Sequence, residues 1–365
     1  GLDRLSATPD QGAIEPLHAP CSNSAMVRAP LIAALMLSLA ACGPRDAREP
    51  FAESRLPPAL SSRFFPPEGW AWGFVGVGTS PVQRYGVAST PRVPRAVVVI
   101  VPGYGETAET WFETASDLIE EGCTVWVLDR AGQGGSGRYA TPRDLGFTPS
   151  FDPDVAALRE LLRVVVKPPP GTRVVVIGHA DGAVVALAAA RANGLRADAL
   201  IVSSAKLAAP LPAAGFLAAF RRPDARPLGW KPWSKDLADD RRAGRTHDAF
   251  RGEVTKAWMT ANPDLRLAGP SLGWNKAYET ASRSLESSPG QITAPVVMIA
   301  PDSRAAALCA RIRTCRVVPL AGAGESPHLE ADRWRKPWLS SVIGVLKDEA
   351  ARSNGLHELS EKTKD

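Results

Sequence analysis

The chain has 365 residues, 45% of them hydrophobic and 22% charged, with ten tryptophans. That is enough to bury a large core, as one large domain or two modest ones, and it excludes disorder over the bulk of the chain. The net charge of +5 and the pI near 9.0 come from Lys and Arg scattered along the sequence. No block of the kind carried by a nucleic-acid-binding arm is present, so the charge reads as solubility with mild attraction to anionic lipid head groups.

Residues 1–25 carry no helical or strand pattern and are read as preceding the true start. Met26 is followed by Arg28, an apolar run from Ala29 to Ala41, and Cys42. The run is too short to span a bilayer and reads as a signal peptide over residues 26–41. Its end, Leu39-Ala40-Ala41-Cys42, resembles the bacterial lipobox, whose cysteine thiol is acylated and becomes the new N-terminus after cleavage. That resemblance implies a protein lipid-anchored to a bacterial membrane and not spanning it; an ordinary secretory signal with a fortuitous cysteine is the plainer alternative. Gly43 stands where some bacteria use Asp for inner-membrane retention, which favours the outer membrane, facing the periplasm. Residues 42–66 are rich in Pro, Ser and charge and read as a tether.

Next come AWGFVGV and QRYGVAS, two strands separated by a Gly-Ser-Pro turn. Six further strands follow in AVVVIV, CTVWVLD, RVVVIG, DALIVSS, PVVMIA and CRVVPL. Near-continuous apolar runs suit strands covered on both faces, as in a parallel sheet. Helical patterns lie between them: Trp111, Ala115, Leu118 and Ile119 ending at Gly122, and Val155, Leu158, Leu162 and Val165 behind Asp152-Pro153, read as N-cap and N1. The alternation predicts a doubly wound α/β sheet led by an antiparallel hairpin. It breaks over residues 206–288, which carry Trp230, Trp233, Trp258 and Trp274 and supply no strand; this stretch reads as a helical cap over the sheet edge. The domain is expected over residues 67–346, with a polar tail of no evident role over 347–365.

Export gives the cysteines meaning, because disulfides persist outside the cytosol. With Cys21 upstream and Cys42 lipidated, Cys123, Cys309 and Cys315 remain. The last two lie six apart, one in a helical stretch and one opening a strand, and allow a local staple; Cys123 reads as a buried free thiol.

Several motifs in order resemble the α/β-hydrolase superfamily, in its lysophospholipase and monoacylglycerol lipase (serine aminopeptidase-like) branch. They are VVVIVPGYGETAETW at the oxyanion loop, VLDRAGQGGSG at the D-x-x-G-x-G-x-S turn, GHADGA at the nucleophile elbow, AWMTANPDLRLAGPSLGW in the cap, and GAGESPHLEADRWRKPW near the C-terminus. The resemblance implies a mostly parallel eight-stranded sheet with helices on both faces and a cap. It also implies a serine nucleophile lifted by the strained G-x-S-x-G turn, a histidine base, an acid, and two backbone amides holding the oxyanion.

This sequence departs from that chemistry. Between Gly178 and Gly182 the nucleophile position holds Ala180, which has no hydroxyl or thiol. The histidine position falls on Glu325, with His328 three residues later as an alternative base. Asp302, after the PVVMIA strand, is the acid by position. The oxyanion amides would be those of Tyr104 and Asp181, and an ionised Asp181 would oppose charge developing there. An engineered Ser→Ala trap would account for Ala180 but not for Asp181 or Glu325, so natural loss of the triad is the simpler reading. Asp181 as nucleophile, and Ser136, Ser203 or Ser204 in that role, are weighed against plain turn or strand-end readings. His179 should pack behind the elbow apex; His247 caps a helix or lines the pocket; Trp274 either lines an acyl pocket or packs the cap. No H-x-x-x-H, paired Cys at ligand spacing or acidic triplet supports a metal, and no cofactor is implied.

The expectation is therefore an exported lipoprotein of this family that lacks conventional serine hydrolase activity and binds a monoacyl lipid or similar amphiphile. Two alternatives stand beside it: an active esterase of lysophospholipase type using His328 or a substitute nucleophile, and a scaffolding lipoprotein that binds a partner protein through the cap.

Overall fold

The computed structural model describes residues 49–210, 212, 220–236 and 245–362, with side chains described to Lys347. The signal peptide, Cys42 and the start of the tether lie outside the described residues, as do stretches of the cap. Among the described residues eight strands form one sheet: β1 (Ala71–Val75), β2 (Gln83–Ala88), β3 (Ala96–Val101), β4 (Cys123–Leu128), β5 (Arg173–His179), β6 (Ala199–Ser203), β7 (Val296–Ile299) and β8 (Cys315–Val318). Their order is β1-β2-β4-β3-β5-β6-β7-β8. β2 pairs antiparallel with both β1 and β4, and every other neighbouring pair is parallel. All eight apolar runs read as strands from the sequence are strands.

The central strands are buried on both faces because successive side chains point to opposite sides. Val97, Val99 and Val101 of β3 and Val174 and Val176 of β5 join one apolar cluster, with helices α2 (Asp152–Glu160), α3 (Gly182–Ala190), α6 (Leu272–Ser287) and α7 (Ser303–Ala310). Ala96, Val98, Ile100, Val175 and Ile177 face the other cluster, with α1 (Phe112–Glu120) and the start of α8 (Asp332–Lys362). Helix α3 is apolar all round, GAVVALAAA, and all but one of its residues are buried. A helix of that composition is stable only inside a core, and it fixes the turn that precedes it.

Helix α2 begins one residue earlier than its punctuation suggests: Phe151 is the N-cap, Asp152 and Pro153 are already helical, and Leu161–Val165 continue as a π turn. In the cap, α4 (Ala249–Gly252), α5 (Val254–Ala261) and α6 supply helix, and among the described residues no strand forms beyond a single bridge between Gly146 and Pro270.

One expectation is corrected. The described part of the tether packs onto the domain. Phe51 and Phe64 are buried with Phe112 and Trp258, and the backbone of Arg55 exchanges two hydrogen bonds with the Asn262 side chain (2.7 and 2.9 Å). Proline and serine composition predicted flexibility, but three aromatics in the stretch (Phe51, Phe64 and Phe65) give it an apolar face to bury. The polar tail is helical as far as Lys362, because Ala, Glu, Lys and Leu extend a helix already nucleated by its buried start. Among the described residues no helix is long and apolar enough to cross a membrane.

Cys309 at the end of α7 and Cys315 opening β8 form a disulfide, and Cys123 is buried and free. The bridge ties the edge strand to its preceding helix. We expect a Cys309→Ala, Cys315→Ala double variant to lose about 2 kcal/mol of stability, read as a lower denaturation midpoint that matches the reduced wild-type chain.

Candidate active site

The turn after β5 keeps the nucleophile-elbow geometry with no nucleophile in it. Ala180 sits at φ +50°, a left-handed conformation that costs a non-glycine residue about 1–2 kcal/mol. Its amide donates to Ser203 O (2.9 Å), and the flanking glycines leave no alternative path. A Cβ on Gly182 would stand 2.4 Å from Val101 O, and one on Gly178 would stand 2.7 Å from the Ala183 Cα. Both glycines are required sterically, and the residue between them carries no hydroxyl or thiol.

Asp181 follows at the N-terminus of α3. Its carboxylate takes the Tyr104 amide as donor (2.6 Å) through Oδ1 and the Arg130 guanidinium through Oδ2. Tyr104 N–H, one of the two amides that the family resemblance assigns to the oxyanion, is thus already engaged by this carboxylate. Arg130 belongs to the DRAGQGGSG turn after β4 and is 2% exposed, beside the equally buried Asp154. Burial opposes the Arg130 charge, but Asp181 and then Asp154 outweigh it and hold its pKa above the usual arginine value. Burial pushes Asp154 up to about 6, against the pull of Arg130. The same turn is braced by Asp129, which accepts from Arg84 Nη2 (2.6 Å) and from the amides of Ala108 and Gly135 (both 2.8 Å). Ser136 donates to Asp129 O (2.8 Å) and accepts from the Arg84 amide (2.8 Å), so its hydroxyl is a brace of the turn.

The remaining site positions fall as follows. Glu325 is half-exposed and ion-paired with Lys206, another residue of the cavity wall. Asp302 caps α7, accepting from the amides of Ala305 (2.7 Å) and Leu207 (3.3 Å), so its carboxylate is directed to backbone. Ser203 accepts from Trp338 Nε1 (2.9 Å) and is buried, while Ser204 lines the cavity. His328 is fully buried, its ring stacked on Trp111 at 3.8 Å. Burial drives its pKa down to about 3, against the attraction of Glu106, so it is neutral at pH 7. His179 lies behind the apex with Nε2 at 3.2 Å from Glu106 Oε1. Burial pushes Glu106 up, but its interactions with the adjoining imidazoles, the His179 contact first, outweigh it and hold the carboxyl below the usual range. His247 neither caps a helix nor enters the cavity; it meets Glu330 through Nδ1 (2.7 Å) and stacks on Trp334. Trp274 lines the cavity and packs edge-on against Tyr104 at 4.6 Å.

A cavity of about 190 Å³ lies over Ala180, walled by Tyr104, Asp181, Ser204, Lys206, Trp274 and Tyr278 among others. A larger hollow of about 580 Å³, lined by Phe147, Phe151, Val155 and Ala277, lies away from the elbow and holds none of these chemical groups. Glu106, Arg130, Lys206 and Arg245 were not singled out by sequence reasoning. Glu106 and Arg130 lie inside the quoted motifs, so the signal was present; Lys206 and Arg245 reach the cavity only through folding of the cap.

The profile of the family described as "Serine aminopeptidase, S33" matches residues 92–303. The chain belongs to this family. Lysophospholipase L2 of Escherichia coli (strain K12) is 25% identical over 242 residues, spanning 62% of this chain and 68% of that protein. A lipase in its open form superposes with TM-score 0.59 at 19% identity, covering 76% of this chain and 99% of that one. The monoglyceride lipase of Saccharomyces cerevisiae, solved as a soluble variant with a substrate analogue, gives 0.55 at 15% identity over 76% and 94% of the two chains. These structures share the fold. The S33 frame of this chain is an α/β-hydrolase of the lysophospholipase-like branch.

The raised Asp154 gives the S33 frame a signed pH response. The folded state holds a proton that the unfolded chain, near its ordinary value of 3.8, releases earlier. This contribution to stability is therefore complete below about pH 4 and is lost as the pH rises to about 6. We expect the stability of wild type minus that of Asp154→Asn to fall by up to about 3 kcal/mol across that window and to stay flat above it, measured by urea denaturation at stepped pH.

Proposed function

We propose that the chain is an exported lipoprotein that uses an α/β-hydrolase frame to bind a monoacyl lipid or similar amphiphile without conventional serine hydrolysis. The observation that carries this reading is the Asp181 carboxylate on the Tyr104 amide, beside Ala180 at the elbow apex. A serine enzyme of this fold needs a nucleophile, a base and an empty pair of amides for the developing oxyanion. Here the first is a methyl group, the second position carries Glu325 paired to Lys206, and one of the amides faces a carboxylate.

What remains is suited to holding a ligand. Tyr104, Trp274 and Tyr278 give the cavity an aromatic wall, and Lys206, Arg245 and Glu325 give it polar groups. At about 190 Å³ it is smaller than the ~300 Å³ from which drug-sized sites begin, and so suits the ester-sized polar end of an amphiphile more than a whole acyl chain. The lipid class is supported by relatives whose names are lysophospholipase and monoglyceride lipase. The anchor is supported by the apolar run and Cys42 in the sequence.

We expect purified protein to be inert on a monoacyl ester and to release a monoacyl lipid on organic extraction, detected by mass spectrometry. Ala180→Ser with Glu325→His should stay nearly inert, since one lost oxyanion donor costs about 10²–10³ in turnover. Adding Asp181→Leu with Arg130→Met, which removes the buried pair together, should raise the rate by that factor. Turnover by the wild-type chain that is abolished by His328→Ala or Ser204→Ala would replace this reading with an enzyme rebuilt around another residue. Separately, radiolabelled fatty acid should be incorporated by the wild-type chain in a bacterial host and not by Cys42→Ser; equal labelling would remove the anchor.

A further inference from the structure

Behind the elbow, three chemistry-bearing side chains from three distant parts of the sequence converge in a closed space. Glu106 comes from the loop after β3, His179 from the last position of β5, and His328 from the short 3-10 turn Pro327–Leu329. None is more than 3% exposed. One potential donor atom from each lies within 4.8 Å of the others. Glu106 Oε1 stands 3.2 Å from His179 Nε2 and 3.6 Å from His328 Nε2.

Those two separations match a known coordination geometry. Nitrogen and oxygen ligands lie about 2.0–2.2 Å from zinc, and in a tetrahedral shell they stand about 3.3–3.6 Å apart. The third edge, between the imidazoles, is within the 4.8 Å limit.

A second observation points the same way. Neither ring nitrogen of His328 has a hydrogen-bond partner, although the residue is fully buried, and His179 Nδ1 is likewise unpartnered. Buried imidazole nitrogens are normally satisfied. A carboxylate with two imidazoles supplies borderline ligands of the kind that divalent zinc and iron take, with open positions left over. Glu106 and His179 also line the cavity over Ala180, which provides a route in. Arg335 stands near and opposes a cation, but it is engaged with Asp117 Oδ2 (2.5 Å) and with the His328 carbonyl (2.9 Å).

We infer that Glu106, His179 and His328 form a binding site for one divalent transition-metal ion of the zinc class, set behind the elbow and reached through the cavity. The site is independent of the lipid-binding reading, since it uses none of Ala180, Asp181 or Glu325.

The test uses the full chain, stripped with a chelator and titrated with Co²⁺ and then Zn²⁺. We expect visible d–d absorption that saturates at one equivalent of Co²⁺ and is abolished by one equivalent of Zn²⁺, with a Zn²⁺-dependent rise in Tm. His328→Leu and, separately, Glu106→Gln should weaken Zn²⁺ binding more than about 100-fold against a chromophoric chelator, while His247→Ala should leave it unchanged. Absence of the cobalt spectrum in the wild-type chain overturns the site without recourse to any variant. So does one equivalent of metal retained in either variant with its thermal transition intact, which would place the ion elsewhere.

Discussion

The Asp181 carboxylate is the group around which the elbow region is organised. It joins the loop after β3, through the Tyr104 amide, to the turn after β4, through Arg130, while its own backbone opens α3. Three segments that must meet in any hydrolase of this fold are thus held by one buried charge pair. Breaking such a pair from one side costs about 3–5 kcal/mol, because the partner is left charged and dry. In the function proposed above, the same contact sets a carboxylate where an ester oxygen would gather negative charge, and so works against acyl transfer.

Around that pair the frame keeps features whose cost makes sense only in the hydrolase geometry. Ala180 remains left-handed at φ +50° although no serine needs lifting. The conformation persists because α3 is buried nearly all round and the strand before it lies at the centre of the sheet, so neither end of the turn can relax. Strain held by surrounding packing is typical of functional sites.

Positions 325 and 328 show how differently two side chains three residues apart are placed. Glu325 occupies the place where the family resemblance puts a histidine, on the cavity wall and paired with Lys206. His328, three residues on, turns inward across the 3-10 turn and stacks on Trp111 beside Glu106 and His179. One side chain meets solvent and the other is sealed in the core, and their properties diverge accordingly. Burial disfavours the charge on His328, whereas the contacts of Glu106 with the adjoining imidazoles hold its carboxyl below the usual range.

The sequence by itself determined the strands and their two-faced burial, since runs such as AVVVIV and RVVVIG leave no polar side to expose. It also determined the elbow, because Gly178 and Gly182 flank a turn that only glycine permits at those approaches, and the identity of the apex residue, an alanine without hydroxyl or thiol. Local composition misled where a few aromatics outweighed many polar residues, as with Phe51 and Phe64 pinning a stretch that otherwise reads as tether. Tertiary structure alone decided what the charged residues do. That Asp181 meets Tyr104 and Arg130, that Lys206 meets Glu325, and that Glu106, His179 and His328 share one closed space are facts of distance between segments far apart in the chain. Short-range periodicity carries burial and secondary structure, but the pairing of buried charges is set by which loops the parallel sheet delivers to the same edge.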